Sequence, residues 1–258
     1  MAKHHLLVAA VVEKQLVLLK RYWFNTLSML LGMYAMFALV FFGGQSLGGA
    51  DVESALDIVV IGFFLFLAAS AAYFDVANSV MREAQWGTLE QLYLSPYGID
   101  RVLCVKAVFN VVLSSVLAIA FLGLMLLTTS RTLSVDLLTI VPLLVVTILP
   151  AIGIGYVVAG LSLLYKRIEN VQQLLQFGFA GLIAAPGAVQ GPVLALLPVS
   201  PGSDLITIAM TEGTRLWEFP PAEIVVLVVN SVAYLAVGYV VFSRFVDRTR
   251  DRGVMGHY

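Results

Sequence analysis

The sequence predicts an all-α polytopic membrane protein with six transmembrane helices. Of its 258 residues, 60% are hydrophobic and only 12% are charged, whereas about a quarter of the residues in soluble domains are charged. Several uncharged stretches exceed the roughly 18 residues that mark a membrane-spanning helix. The chain is therefore interpreted as a single transmembrane domain over residues 1–258.

The charge distribution predicts the orientation of these helices. If the N-terminus is cytoplasmic, two of the 15 Lys and Arg residues, Arg131 and Arg215, fall outside, which leaves thirteen inside. Cytoplasmic loops carry an excess of Lys and Arg in membrane proteins. We therefore expect a multi-pass protein of the cell membrane with both termini in the cytoplasm.

The N-terminal segment 3–21 is predicted to be an amphipathic interfacial helix. Its five charged residues occupy about a third of the helical wheel at ~100° per residue, and apolar residues occupy the rest. Such a helix lies in the membrane surface with its apolar face in the acyl boundary. The alternative is a polar extension of the first span.

Six apolar segments follow, and they define the predicted spans. Their ranges are 23–42, 56–81, 105–129, 137–165, 171–185 and 222–242.

Between the fifth and sixth spans, prolines break a long uncharged run. The segment 186–203 contains Pro186, Pro192, Pro198 and Pro201, so we expect a re-entrant external hairpin that protein or water must surround. A further short helix over Leu205–Met210 is expected at the surface.

The longest polar interval in the first two-thirds of the chain is segment 82–100, between the second and third spans. Gly87-Thr88 followed by Gln91 is typical of a helix start with a capping box. Pro96 ends the short helix, because a residue before proline avoids the helical conformation. The segment is therefore predicted to be a short amphipathic helix at the membrane surface. An ordinary interfacial helix without a partner is the alternative.

This interval resembles the signature of the ABC-2 family of ATP-binding-cassette transporter membrane subunits. The resemblance is carried by Glu83-x-x-x-Gly87-Thr88-Leu89-Glu90, Pro96 and Lys106, although the family often has Gly where this chain has Val105. In that family the segment is a coupling helix, which docks on a separate ATPase subunit. The resemblance therefore implies ATPase-subunit contacts at Glu83, Gly87, Thr88, Leu89, Glu90 and Pro96.

The resemblance also implies partners and cofactors. The chain would work with a nucleotide-binding ATPase subunit and with a second permease copy or a related permease, surrounded by membrane lipid. ATP and Mg²⁺ would bind the partner ATPase, since this chain has no G-x-x-x-x-G-K-[ST] motif and no cofactor site of its own. Six spans with cytoplasmic termini and re-entrant external helices are likewise the family topology.

Other chemistry is not indicated by the sequence. The histidines His4, His5 and His257 lie near the two ends of the chain and suggest neither a metal site nor a catalytic triad. The single cysteine, Cys104, excludes an intramolecular disulfide. Basic patches interleaved with aromatic residues, the footprint of nucleic-acid binding, do not occur. We therefore expect neither an enzyme nor a nucleic-acid partner.

Asp75 is the most informative acid within a span. Acids there usually pair with another group and face the protein interior or water. Asn78 lies one turn and Arg82 two turns further along the helix. The hypothesis is a gate or hinge network above the coupling helix. The alternative is an interfacial acid that is solvated or paired with Arg82. Glu83 is adjacent to Arg82 and is also available for a local ion pair.

Aromatic and amide side chains give two further hypotheses. Phe63, Phe66, Tyr73 and Phe177 are candidates for a lipophilic pathway, because the family places spans two and five at its dimer interface; packing or lipid contact is the alternative. Asn110 and Asn230 are predicted to form hydrogen bonds between helices.

The predicted function is the permease subunit of an ABC-2 type exporter for a drug, lipid or glycan-like substrate, driven by ATP hydrolysis on another chain. A non-transporting membrane scaffold or regulatory subunit of such a complex is the alternative. An integral membrane enzyme is a third possibility, but the sequence lacks the acid and histidine cluster it would need.

Overall fold

The computed structural model describes residues 2–46, 52–85, 98–165, 169–188 and 191–251, and the regular secondary structure in these ranges is helical throughout. The helices are α1 (Ala2–Arg21), α2 (Trp23–Ser46), α3 (Val52–Gln85), α4 (Gly98–Thr129), α5 (Leu137–Leu164), α6 (Glu169–Ala184), α7 (Pro192–Leu196), α8 (Ser200–Glu212) and α9 (Pro221–Asp251), with a 3₁₀ turn at Ala185–Gly187.

Within the described ranges, five helices are long and apolar enough to cross a membrane: α2, α3, α4, α5 and α9. The predicted all-α fold is confirmed in these ranges, and the length and composition of the five helices suit a membrane protein. The fifth predicted span corresponds to α6, which has only 16 residues. At 1.5 Å rise per residue it reaches about 24 Å, less than the ~30 Å hydrocarbon core. A six-span layout therefore requires more than α6 alone.

Helices α3 and α5 form the centre of the bundle. More than half of the apolar part of each is buried, 56% in both, whereas only 11% of the corresponding part of α2 is buried. Apolar side chains on α2 and α9 instead face outward, among them Leu39 and Val229. This distribution suits a protein surrounded by lipid, because lipid tails solvate exposed apolar side chains.

Helices α5 and α9 make the most extensive contact in the fold. They approach closely because small residues lie at the crossing. A Cβ added at Gly238 would collide with the backbone of Gly153, and one added at Gly153 would collide with the carbonyl of Tyr234. Two turns further along both helices, Gly160 packs against the Phe245 ring. Small residues at such crossings are typical of helix packing in membranes.

Three connections meet at one end of the bundle, which we call the Arg131 end. There Arg131 Nη1 lies 3.6 Å from Asp57 Oδ1, joining the link between α4 and α5 to the start of α3. The backbone N–H of Leu216, in the loop before α9, donates to Thr139 Oγ1 at 3.0 Å, in the first turn of α5. The second predicted outer cation, Arg215, is in this loop as well.

Helix α8 corrects one expectation. Leu205 and Met210 were expected in a surface helix, but both are buried within the protein. The helix packs against α5, α3 and α6, and Ser200 and Ser203 donate to the Leu182 and Ile183 carbonyls of α6 at 2.6 and 2.7 Å. These bonds satisfy carbonyls at the C-terminal end of α6, which have no partner within the helix.

The hydrogen-bonding role predicted for Asn230 is confirmed. Its Nδ2 donates to the carbonyls of Ala195 and Leu197 at 2.8 and 3.2 Å. On the next turn of α9, the Tyr234 hydroxyl donates to the carbonyl of Leu196 at 2.9 Å. Together the two side chains hold α7 and its C-terminal end against α9.

Candidate functional site

The candidate site lies where α3 ends and α4 begins, on either side of the segment predicted to be a coupling helix. Five of its predicted contact residues lie outside the described residues: Gly87, Thr88, Leu89, Glu90 and Pro96. The structure does describe Glu83, near the end of α3, and Lys106, in the third turn of α4.

Glu83 is the centre of a buried ion cluster. Its Oε1 lies 2.7 Å from Lys106 Nζ and 2.7 Å from Lys14 Nζ. Glu83 and Lys106 are 3% and 5% exposed, whereas the Lys14 side chain is 44% exposed. Because the three residues belong to α3, α4 and α1, the cluster joins both flanks of the predicted coupling segment to the N-terminal helix. A charge this deeply buried requires such pairing.

The expected local pair between Glu83 and Arg82 is not formed. Consecutive residues on a helix lie about 100° apart, so their side chains do not face each other. Arg82 instead pairs with Asp75, seven residues earlier on the same face of α3, with Nη2 3.4 Å from Oδ1. The side chain of Glu83 contacts Lys106 and Lys14 instead.

Asp75 therefore adopts the geometry of one of its two predicted alternatives, an acid paired with Arg82. Its side chain is 32% exposed and that of Arg82 is 42% exposed. The pair is longer and more open than the cluster around Glu83. Asn78, the third member of the predicted polar network, lies on the wall of the same cavity as Asp75 and Arg82.

This cavity has a volume of about 740 Å³ and lies between α1, α2, α3, α4 and α6. Its wall combines apolar and polar side chains. The polar members include Asn25, Asp75, Asn78, Arg82, Asn110 and Gln176. Polar groups concentrated within a membrane domain mark candidate ligand or transport sites.

The aromatic residues predicted to line a pathway do not converge on this cavity. Tyr73 is fully buried, with its ring 5.3 Å from that of Phe179. Phe63 is half-buried, with its ring 5.5 Å from that of Phe37. These two contacts agree with the alternative of packing.

The other two predicted pathway residues have different surroundings. Phe66 is half-buried against the core, whereas Phe177 is 64% exposed on α6. The aromatic wall of the cavity is provided instead by Tyr22 and Phe74.

Sequence reasoning missed the contacts of Lys14 and Lys106. Both belong to patterns that the sequence displays, the charged stripe of the N-terminal helix and the coupling signature. The sequence does contain a signal for the Glu83–Lys106 contact. The two residues have opposite charges, and they lie where the second predicted span ends and the third begins, on the same side of the membrane. Charges at membrane depth usually find partners.

Asn110 differs from its prediction. It is 2% exposed, and its Oδ1 accepts no hydrogen bond from any part of the chain that the structure describes. Its side chain lies on the wall of the cavity.

Within the described ranges, histidine, cysteine, aspartate and glutamate residues form no group of three that could hold a metal ion. The chain was also compared with protein-family models, with curated proteins and with solved structures, and it matches none of them.

Proposed function

We propose that the chain is the membrane-spanning permease subunit of an ABC-2 type exporter, driven by a separate nucleotide-binding subunit that holds ATP and Mg²⁺. The observation that carries the proposal is the contact between Glu83 and Lys106 at 2.7 Å. Both residues belong to the coupling signature, and they flank the segment that would dock on the ATPase. A second permease copy, or a related permease, would complete the transporter.

The ion cluster gives this segment a mechanical connection to the rest of the protein. Movement imposed on the segment would pass through Glu83 and Lys106 to α3 and α4, and through Lys14 to α1. Glu83 is buried in this cluster, so we assign it the positioning of the segment. Contact with the ATPase falls to Gly87, Thr88, Leu89, Glu90 and Pro96.

The proposed topology has six crossings, with α6 and the first residue of the following 3₁₀ turn, Ala185, completing the fifth. The segment 186–203 would then be the re-entrant external hairpin, held by Asn230 and Tyr234 of α9. The charges support this orientation. Arg131 and Arg215, the two Lys or Arg residues predicted outside, both lie at the Arg131 end. Lys14 and Lys106 instead cluster with Glu83 near the last turn of α3. The Arg131 end would face outside.

The division of labour between subunits has a direct test. The purified chain should show no ATPase activity in reconstituted vesicles, because it has no phosphate-binding loop of its own. Adding the ATPase encoded with it should produce activity that depends on both proteins. Hydrolysis by this chain alone would contradict the proposal, and so would an ATPase that neither binds the chain nor responds to it.

The variant Glu90→Lys tests the coupling segment itself. It replaces an acid with a base on the proposed docking face, and like charges brought together at an interface cost several kcal/mol. We expect the chain to insert normally but to co-purify with the ATPase at least about tenfold less well, since each ~1.4 kcal/mol is a factor of ten in affinity.

The matched control is Glu212→Lys. Glu212 is an exposed acid at the end of α8, and the backbone N–H of Ser134, in the link between α4 and α5 at the Arg131 end, donates to the Met210 carbonyl of α8 at 2.9 Å. The Glu212→Lys variant makes the same charge change far from the proposed docking face, so it should co-purify with the ATPase as well as the wild type does. If the two variants behave alike, the segment is not the docking site.

A further inference from the structure

Along α3, the wall of the cavity between α1, α2, α3, α4 and α6 changes from apolar to polar. Leu67, Ala71 and Phe74 are followed by Asp75, Asn78 and Arg82. Leucines of two other helices also belong to the wall: Leu18 of α1, and Leu113 and Leu117 of α4. A cavity with this division suits a molecule that has a polar head and hydrocarbon chains. Its volume of about 740 Å³ lies in the range of ligand sites, roughly 300–1,000 Å³.

The Asp75–Arg82 pair presents one negative and one positive group side by side. Its N–O distance of 3.4 Å is long for a hydrogen bond, and both side chains keep about a third or more of their surface exposed. The nearby Glu83–Lys106 pair is closed at 2.7 Å and buried. Of these two pairs, the Asp75–Arg82 pair is therefore the one with room to exchange partners with a ligand of complementary charge.

We infer that this cavity binds a zwitterionic phospholipid whose headgroup ends in a primary ammonium, with its phosphate at Arg82, its ammonium at Asp75, and its acyl chains along the leucines of the wall. The Asp75 carboxylate decides the headgroup. A primary ammonium has N–H donors for Asp75, whereas a quaternary ammonium has none and a glycerol headgroup has no positive charge for Asp75.

The site depends on the chain lying in a membrane and not on the proposed ATPase partner. Its occupant and its test are therefore independent of whether the chain is an exporter.

The test is native mass spectrometry of the purified full chain titrated with three lipids that have identical acyl chains: phosphatidylethanolamine, phosphatidylcholine and phosphatidylglycerol. We expect one saturable phosphatidylethanolamine site, about tenfold tighter than either other lipid. Tenfold is the effect of one charge-assisted hydrogen bond at the low end of its range. Equal binding of all three lipids, or tighter binding of the anionic one, would overturn the assignment.

Three variants locate the site. Asp75→Asn should abolish the preference for phosphatidylethanolamine over phosphatidylglycerol, a loss of about tenfold by the same argument. Ala71→Leu enlarges a side chain on the cavity wall without changing charge, and it should weaken binding of the preferred lipid. The matched control is Asp57→Asn on the same helix, whose carboxylate pairs with Arg131 at the opposite end at 3.6 Å; its lipid binding should equal that of the wild type.

Gel filtration and thermal unfolding of each variant show whether it is folded. If Asp75→Asn is folded and keeps the wild-type preference, the headgroup is not held by Asp75 and the proposal fails. If Asp75→Asn does not fold, Ala71→Leu and the wild-type lipid preference decide: unchanged binding by a folded Ala71→Leu variant places the lipid elsewhere.

Discussion

Replacing Lys106 with Met should lower the free energy of unfolding by about 3 kcal/mol or more. Removing one partner from a buried ion pair typically costs 3–5 kcal/mol, because the other charge stays buried without full compensation. Here the loss removes the buried partner of Glu83, while the contact with Lys14 involves a side chain that is 44% exposed. Methionine preserves most of the lysine side chain's volume, so the loss reports charge rather than packing.

A double-mutant cycle separates the pair from its surroundings. The double variant Glu83→Gln/Lys106→Met should be more stable than Lys106→Met alone, because it removes the buried charge of Glu83. The control Lys14→Met should cost less than Lys106→Met, because the Lys14 side chain is 44% exposed and water screens its charge. Unfolding is measured by circular dichroism in detergent. If the effects of Glu83→Gln and Lys106→Met on the free energy of unfolding add up to that of the double variant, Glu83 and Lys106 do not interact.

The order of the long helices could be predicted because it depends on local composition. An uncharged apolar run predicts a span wherever it occurs, and the runs at 56–81 and 222–242 correspond to α3 and α9. Both helices extend further than predicted, to Val52–Gln85 and Pro221–Asp251. Hydropathy marks where a helix leaves the hydrocarbon region, but backbone hydrogen bonding continues through polar residues beyond that point.

The same reasoning fails where burial in protein and burial in lipid compete. Leu205 and Met210 of α8 are apolar in either setting, and only the packing of α5, α3 and α6 around them makes them core residues. Asn110 and Asn230 show a similar limit. Both are asparagines within apolar helices, yet Asn230 finds the carbonyls of α7, while Asn110 faces a cavity.

In the candidate site, too, one contact could be predicted from the sequence and the others could not. The Asp75–Arg82 pair was foreseeable because helical periodicity alone places residues seven apart on one face. The contacts of Glu83 with Lys106 and Lys14 span 23 and 69 residues of sequence. They depend on how α1, α3 and α4 pack, as does the cavity among five helices. No local pattern specifies such an arrangement.

The crossing of α5 and α9 should be the most sensitive part of the bundle to added volume. A Cβ at Gly238 would meet the carbonyl oxygen, carbonyl carbon and Cα of Gly153, all of them backbone atoms. Backbone atoms cannot move aside by a rotamer change, so the helices would have to separate. Overpacking of this kind costs about 1–3 kcal/mol and occasionally more, and we expect Gly238→Ala to lie at the upper end, near 3 kcal/mol.

A graded series of glycine variants tests this packing. At Gly160 the added Cβ would meet the Phe245 side chain, at 2.7 Å from its Cδ2, and that ring can rotate, so Gly160→Ala should cost less than Gly238→Ala. The control is Gly123→Ala: nothing lies within 4 Å of an added Cβ there, and alanine is the better helix former by about 1 kcal/mol. It should leave stability unchanged or raise it. Thermal unfolding in detergent should therefore rank Gly123→Ala above Gly160→Ala, and Gly160→Ala above Gly238→Ala. Equal stability of the Gly238→Ala and Gly123→Ala proteins would mean that α5 and α9 do not cross at these glycines.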